Sequence, residues 1–194
     1  MANKSPLEEF VKIVDLDLEF VRFIGEGEYG IVFEVKLNDT NLALKVNKKN
    51  EAFQIDKQFT IENEFKVMKA LEGIRGVPKV FKFYKKSPCL IHPDLFGKNA
   101  FLRELIPGKI LDKSGSQRMQ FFIRLSNLLE AMIQKGYVMI VDFGAGNILV
   151  GKDGYPYLID MMCTLKLSSS KNIREQQINL FRKRFKEIQS RYLG

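Results

Sequence analysis

The segment at 41–47, NLALKVN, alternates as a β-strand does but carries a lysine, Lys45, in its apolar centre. Burying an ammonium group is costly unless it is paired, so this strand requires a nearby carboxylate. The alternative is an edge strand from which the lysine reaches solvent. A helical stretch at 57–72 offers Glu62 and Glu64. We expect Glu64 to be the partner, because it would face the sheet while the apolar side chains of the helix pack inward.

Strand-like segments dominate the first half of the chain. Their apolar residues alternate in short steps, and turn residues separate them. These segments lie at 18–27, 29–37 and 41–47, before the helix, and at 79–85 and 99–106, after it. The sequence Gly76-Val77-Pro78 is expected to end the helix.

The character of the chain changes at Pro107-Gly108. A helix is predicted at 117–135, with Gly136 as its cap, and two short strands at 147–150 and 155–160 flank the turn GKDG. The last 23 residues predict another amphipathic helix. Its apolar residues recur at helical spacing and are expected to pack in the core: Ile178, Phe181, Phe185, Ile188 and Tyr192. The pattern predicts an α+β protein.

Composition limits the classes of function. The 194 residues suit one or two small domains, and no apolar run is long enough to cross a bilayer. The net charge of +8 is compatible with nucleic acid, an acidic membrane surface or a phosphorylated ligand, but no nucleic-acid-binding motif is present. The densest basic run, 182–186, is either a solvated helix face or a patch for polyanions. Cys89 and Cys163 are expected to be free thiols, and with no secretory signal pattern at the N-terminus this favours a cytoplasmic protein.

A glycine pattern precedes the lysine strand. Gly25, Gly27 and Gly30, followed by Val32, form a G-x-G-x-x-G-x-V sequence. A dinucleotide-binding turn would open a helix, whereas a strand follows here. The pattern therefore favours a glycine flap over phosphates, with an ordinary hairpin turn as the alternative.

The glycine flap, Lys45, Glu64 and the strand FLRELIPG occur in this order, and on these features the chain resembles the protein kinase-like superfamily over residues 18–165. The resemblance implies a two-lobe fold. The N-lobe, 1–107, would hold an antiparallel sheet and one helix, with a hinge at 104–108. The C-lobe, 108–194, would be reduced and mainly helical.

Within this resemblance Asp142 has two interpretations, because the letters DFG match the metal-binding motif of kinases. No aspartate lies between Asp112 and Asp142 to serve as the catalytic residue upstream. If Asp142 is itself the catalytic aspartate, Asn147 falls at the family's D-x-x-x-x-N spacing, and Asp160 ends the next hairpin. We therefore expect Asp142 to be catalytic, and Asn147 and Asp160 to be ligands of Mg²⁺.

The resemblance also implies ATP as the phosphate donor. Lys45, held by Glu64, would contact the α- and β-phosphates, and Asp142 would accept or orient the proton of the attacking hydroxyl. The remaining nucleotide contacts would come from the glycine flap, from an apolar sandwich around adenine (Val32, Ala43 and Leu149) and from the backbone of Glu104 and Ile106.

The sequence departs from the family at several positions. Ile140 replaces the usual histidine, Met161-Met162 replaces Phe-Gly, and Gly144 stands where Ser/Thr kinases carry a lysine. Little chain follows Asp160, so the C-lobe is closer to small atypical kinases such as lipopolysaccharide or RIO-like kinases.

The function expected from the sequence is an ATP- and Mg²⁺-dependent kinase that transfers the γ-phosphate to a protein Ser/Thr hydroxyl. One alternative is a lipopolysaccharide or sugar kinase, which acts on a glycan hydroxyl and makes peripheral membrane contact through basic residues. Another is a catalytically weak, nucleotide-binding pseudokinase. A basic nucleic-acid-binding protein is the least supported.

Overall fold

The computed structural model describes residues 17–27, 29–48, 60–86, 98–111, 119–140 and 143–193. It shows a mixed α+β protein that divides into two compact units. The first comprises Met1–Phe65 and Lys79–Leu105, and the second comprises Lys66–Pro78 and Ile106–Gly194. The sequence predicts a single boundary between 107 and 108, whereas the structure also assigns 66–78 to the second unit.

The first unit is built on a five-stranded antiparallel sheet of order β1-β2-β3-β5-β4. The strands are β1 Glu19–Glu26, β2 Gly30–Leu37, β3 Thr40–Asn47, β4 Val80–Tyr84 and β5 Ala100–Glu104. All five lie where the alternation of the sequence predicts them.

The turn between β2 and β3 sets the register of the sheet. Asn38 and Asp39 have positive φ angles of 46° and 67°, the backbone that a two-residue hairpin turn of the favoured hand requires. The turn joins the pair Leu37↔Thr40, and counting back along the two strands brings Val32 opposite Lys45. The local sequence LNDT therefore decides which side chain faces the lysine.

The core of the first unit lies on one face of this sheet. Alternation along the strands places apolar side chains there, and the cluster comprises Leu18, Phe33, Val35, Leu42, Leu44, Val46, Ala100 and Leu102. Ala43 and Lys45 point to the opposite face and are also buried. Strand β3 is thus covered on both faces, as its apolar sequence indicates.

Helix α1 spans Ile61–Ala70 and begins at a side-chain cap. The Thr60 hydroxyl accepts a hydrogen bond from the Asn63 backbone N–H at 3.0 Å, which satisfies one of the free donors of the first turn. The Phe65 ring contacts Phe83 and Phe101, with centroids 5.4 and 5.9 Å away. These contacts join the helix to β4 and β5. The predicted start at Lys57 lies outside the described residues.

Among its described residues, the second unit contains two complete helices and five short strands. Its elements are β6 Gly108–Ile110, α2 Met119–Gln134, β7 Tyr137–Met139, a 3₁₀ turn Ala145–Asn147, β8 Ile148–Gly151, β9 Pro156–Leu158, β10 Thr164–Lys166 and α3 Lys171–Tyr192. Strands β6, β8 and β9 form one antiparallel sheet, and β7 pairs with β10. The helices and the β8–β9 hairpin match the prediction from sequence, whereas β6, β7 and β10 were not predicted.

Segment 66–78 belongs to the second unit because its end adds to the β8–β9 hairpin. The Leu158 backbone N–H donates to the Gly76 carbonyl at 2.8 Å. Arg75 forms an ion pair with Asp153 at 3.0 Å, and its guanidinium lies 4.1 Å from the centre of the Tyr155 ring. Gly76 has a φ of +97°, a conformation that glycine adopts without strain.

Helices α2 and α3 pack through only part of the apolar stripe predicted on α3. Phe181 and Ile188 are buried, as expected. Phe185, Ile178 and Tyr192 are only half-buried, which corrects the expectation that the whole stripe lies in the core. Arg182 makes a bidentate ion pair with Glu130 of α2 across the partly open side of the stripe.

None of the helices in the described ranges combines the length and the apolar character needed to cross a membrane. Cys163 is buried, and Cys89 lies outside the described residues.

Candidate functional site

Lys45 and Glu64 form a buried ion pair inside the first unit. The Lys45 ammonium lies 2.8 Å from Glu64 Oε2, and the side chains are 6% and 0% exposed. Lys45 lies in β3, and Glu64 stands in the first turn of α1, which the Thr60 cap fixes. The pairing with Glu64 rather than Glu62 is the one the sequence predicts.

The surroundings of Lys45 include two other predicted site residues. Val32 faces Lys45 across the β2–β3 ladder, and Ala43 lies two residues earlier on the same face of β3. Ala43 is buried and Val32 is half-buried. The alternation of the sheet thus places these two apolar side chains on the same face as Lys45.

Gly30 is fixed by close packing against β3. A Cβ atom built at Gly30 would lie 3.0 Å from the Val46 carbonyl oxygen and 3.4 Å from Lys45 Cε. An added Cβ would therefore crowd the Val46 carbonyl and touch the Lys45 side chain. At Gly25 a Cβ would meet nothing within 4 Å, and at Gly27 it would meet only the Gly30 carbonyl at 3.9 Å.

The turn that carries these glycines is held closed by contacts with β3. The Gly27 N–H donates to the Gly30 carbonyl at 2.8 Å, and the Lys48 N–H donates to the Tyr29 carbonyl at 2.9 Å. The Lys48 ammonium also forms an ion pair with Glu26 at the end of β1. This pair, which links the end of β1 to the residue that follows β3, was not predicted from the sequence.

Glu104 ends β5, and one of its two backbone groups is already used. Its N–H donates to the Lys79 carbonyl at 2.7 Å, and its carboxylate accepts from the Lys79 N–H at 3.2 Å. Any adenine contact from the Glu104 backbone must therefore use the carbonyl oxygen. Ile106, the other predicted backbone contact, belongs to the second unit and is buried.

In the second unit, Asn147 and Asp160 lie at the same end of the β8–β9 hairpin. The Ile159 N–H donates to the Asn147 carbonyl at 3.0 Å, one step beyond the Ile148↔Leu158 pair. Asp160 directly follows Ile159, the residue that is hydrogen-bonded to Asn147. Both side chains are half-buried, and Asp160 Oδ1 accepts from the Met162 N–H at 3.3 Å. The hairpin thus places Asn147 and Asp160, thirteen positions apart in sequence, at the same end of its two strands.

Leu149 lies in β8 opposite Ile110 of β6. Gly108 allows this pairing, since a Cβ there would lie 2.3 Å from both Leu149 Cδ2 and the Val150 carbonyl oxygen. Strand β6 was missed in the sequence because three residues carry no usable periodicity. The glycine at the Pro107-Gly108 break was the one available signal, and it marks close approach to Leu149.

Asp142 lies outside the described residues, and the structure shows only the chain on either side of it. Phe143 is buried and packs edge-on against Phe181 of α3, with ring centroids 5.1 Å apart. Ile140 is half-buried, Met161 is fully buried, and Gly144 begins the 3₁₀ turn that leads to Asn147. The residue immediately after Asp142 is thus fixed in the core of the second unit.

Asp153, at the turn of the β8–β9 hairpin, accepts several hydrogen bonds. The Tyr155 backbone N–H, followed by Arg75 and the Tyr157 hydroxyl, lowers the pKa of Asp153 below its ordinary value. These contacts fix the turn that connects β8 to β9. Asp153 and Arg75 were not singled out from sequence, because they are 78 residues apart and only the fold brings them together.

Fold and site together define a mixed α+β protein that has a buried lysine–glutamate pair beside a glycine turn in one unit, and an asparagine and an aspartate at one end of a hairpin in the other. No protein-family model matches the chain.

Proposed function

We propose that this protein is an ATP- and Mg²⁺-dependent phosphotransferase with a two-lobe protein kinase-like fold, which transfers the γ-phosphate of ATP to a hydroxyl group. The observation that carries the proposal is the buried ion pair between Lys45 and Glu64, which are 6% and 0% exposed. A protein with a buried ion pair is often no more stable than one with apolar residues of the same size in its place. Fold stability alone therefore gives only a weak explanation for the Lys45–Glu64 pair. Positioning an ammonium for phosphate oxygens gives a stronger reason.

The glycine turn supports the same role for the first unit. Its strands lead directly to Lys45, and Gly30 packs against that side chain. The open space around Gly25 and Gly27 means that packing within the protein does not require glycine at either position. Close approach of a phosphate group to the backbone would require it.

The second unit supplies ligands that fit Mg²⁺. Asn147 and Asp160 offer hard oxygen donors at one end of a hairpin, and Mg²⁺ is commonly held by one or two protein groups together with phosphate oxygens and water. When bound, the ion would offset negative charge on the phosphates. Asp142 is proposed to orient the attacking hydroxyl, and the next residue, Phe143, is buried against Phe181.

A protein Ser/Thr hydroxyl is the first choice of acceptor. A glycan hydroxyl on a membrane-borne substrate is the second, because the surface of α3 is rich in exposed basic residues. A nucleotide-binding pseudokinase is the competing function. This function is favoured by Gly144 and Met161-Met162, which stand at positions where active kinases carry other residues. A pseudokinase would bind ATP as the kinase does, but it would not transfer phosphate.

Calorimetric unfolding with and without nucleotide tests the binding step. Saturating ATP with Mg²⁺ at about 100 times Kd should stabilise the protein by about 2.7 kcal/mol, because the ligand binds only the folded state. Lys45→Ala should abolish most of this gain, whereas Lys36→Ala, at an exposed pair with Asp39, should retain it. Failure of millimolar ATP to raise the melting temperature of the parent protein would refute both the kinase and the pseudokinase.

A further inference from the structure

A groove of about 440 Å³ runs between α2 and α3, inside the second unit. Its α2 wall is formed by residues 126, 129, 130 and 133, and its α3 wall includes residues 179, 182, 183 and 186. The α2 set follows the spacing i, i+3, i+4, i+7 and is one face of that helix, and the α3 wall also includes Phe181 and Phe185. Seven residues of helix rise about 10 Å, so the groove is about two helical turns long.

The floor of this groove is apolar and incompletely covered. Leu129 and Ile133 of α2 are buried at its base, but the Phe185 ring on α3 is only half-buried. A half-covered aromatic between two helix faces is the arrangement in which a third helix can bury an apolar stripe.

The charges around the groove are unbalanced. Glu130, the acidic residue of the lining, is already bound by Arg182 through two hydrogen bonds of 3.0 Å. Lys183 and Lys186 are exposed on the rim, and neither forms an ion pair with another described residue. Helix α3 as a whole carries seven basic and two acidic residues, in a protein of net charge +8. The charge that would complement this rim is negative.

We propose that the groove between α2 and α3 is a docking site for an acidic amphipathic helix of a partner protein. An apolar stripe of about two turns would cover Phe185, and flanking Asp or Glu side chains would meet Lys183 and Lys186. A membrane surface fits less well, because the groove is a recess between two helices. The exposed apolar residues of α3, Ile173 and Leu180, are not part of its lining.

The probe is a synthetic, fluorescein-labelled helical peptide with leucines at i, i+3, i+4 and i+7 and glutamates at the flanking positions. Fluorescence anisotropy should show that it binds at least about tenfold more tightly than a peptide of the same composition with scrambled leucines, or one with lysines for glutamates. Replacing both rim lysines (Lys183→Gln with Lys186→Gln) should weaken binding roughly three- to tenfold and reduce its salt dependence. The matched control, Lys171→Gln with Arg191→Gln, removes the same charge from α3 outside the groove and should change binding less than about twofold.

The floor is tested by Phe185→Ser, which should abolish preferential binding of the striped peptide while the protein stays folded by circular dichroism. The proposal is overturned if the scrambled peptide binds equally well, or if the rim and control variants behave alike. It is also overturned if phosphatidylserine vesicles bind through the rim lysines while the peptide does not. The proposal is likewise overturned if the protein self-associates and the rim variant, but not the control variant, abolishes this. The occupant of the groove would then be a second copy of the chain. None of these outcomes depends on ATP binding, so the test is independent of the proposed function.

Discussion

Phe143 packs edge-on against Phe181, with ring centroids 5.1 Å apart and both side chains buried. This contact ties the chain just after Asp142 to helix α3. We expect Phe181→Ala to lower the free energy of unfolding by about 3–5 kcal/mol, because it leaves a cavity beneath Phe143. Phe185→Ala, on the same helix, should cost clearly less, because that ring is half-exposed. Urea unfolding of the two variants measures the difference, and equal losses would contradict the packing described here.

The buried ion pair allows its structural and functional roles to be separated. Glu64→Leu alone should destabilise the protein by roughly 3–5 kcal/mol, because it leaves the Lys45 ammonium buried without this carboxylate. The double variant Lys45→Met with Glu64→Leu should recover most of that loss, because apolar residues of similar size replace both charges. It should nevertheless fail to bind ATP with Mg²⁺ in calorimetric titration. A stable double variant that binds ATP as well as the parent would remove the basis of the proposed function.

Two glycines in one turn separate backbone strain from steric clash. Gly73 and Gly76 both have positive φ angles, 90° and 97°. A Cβ at Gly73 would meet nothing within 4 Å, whereas at Gly76 it would lie 2.6 Å from the Pro156 carbonyl and 2.7 Å from Leu128 Cδ2. Gly73→Ala should therefore cost about 1 kcal/mol from strain alone, and Gly76→Ala should cost substantially more. Chemical denaturation that gives the two variants the same stability would argue against close packing of Gly76 on β9.

The pH dependence of stability should include a contribution from Asp153. Its pKa is lowered in the folded state by the Tyr155 N–H and then by Arg75 and Tyr157, so the carboxylate stabilises the fold when ionised. This contribution is fully present above the unfolded pKa of about 3.9 and is lost as the pH falls through the folded pKa. The side chain is 42% exposed, so about 1 kcal/mol or less is expected. Asp153→Asn should be less stable than the parent at pH 7, and the gap should narrow below about pH 4. A gap of constant size across this range would exclude the mechanism.

The strands and helices that could be predicted are those with a clear period. Strand β3 and helix α1 were recognisable because apolar residues recur at two or at three to four positions, and the buried Lys45 required a carboxylate such as Glu64. Strands β6, β7 and β10 were missed because each has three residues, too few to show alternation.

Contacts between distant positions could not be predicted for a different reason. Arg75 and Asp153 meet only because the end of the α1 segment adds to the β8–β9 hairpin. Phe185 was expected to be buried because it shares a stripe with Phe181, but the stripe is wider than the surface that α2 offers. Periodicity shows which face of a helix is apolar, whereas the neighbouring element decides how much of that face is covered.

The most direct test of the proposed phosphotransferase is incubation of the protein with γ-labelled ATP and Mg²⁺, alone and with cell lysate, followed by separation of protein, lipid and glycan products. We predict Mg²⁺-dependent transfer of label to an acceptor that is not water. Asp142→Asn should reduce it by roughly 10²–10⁴ while leaving nucleotide binding largely intact. Asp160→Asn should abolish it by removing a carboxylate ligand. Asp153→Asn, a control carboxylate at the turn of the same hairpin, should leave the rate nearly unchanged. Absence of transfer by a parent protein that binds ATP would contradict the phosphotransferase and leave the nucleotide-binding pseudokinase in its place.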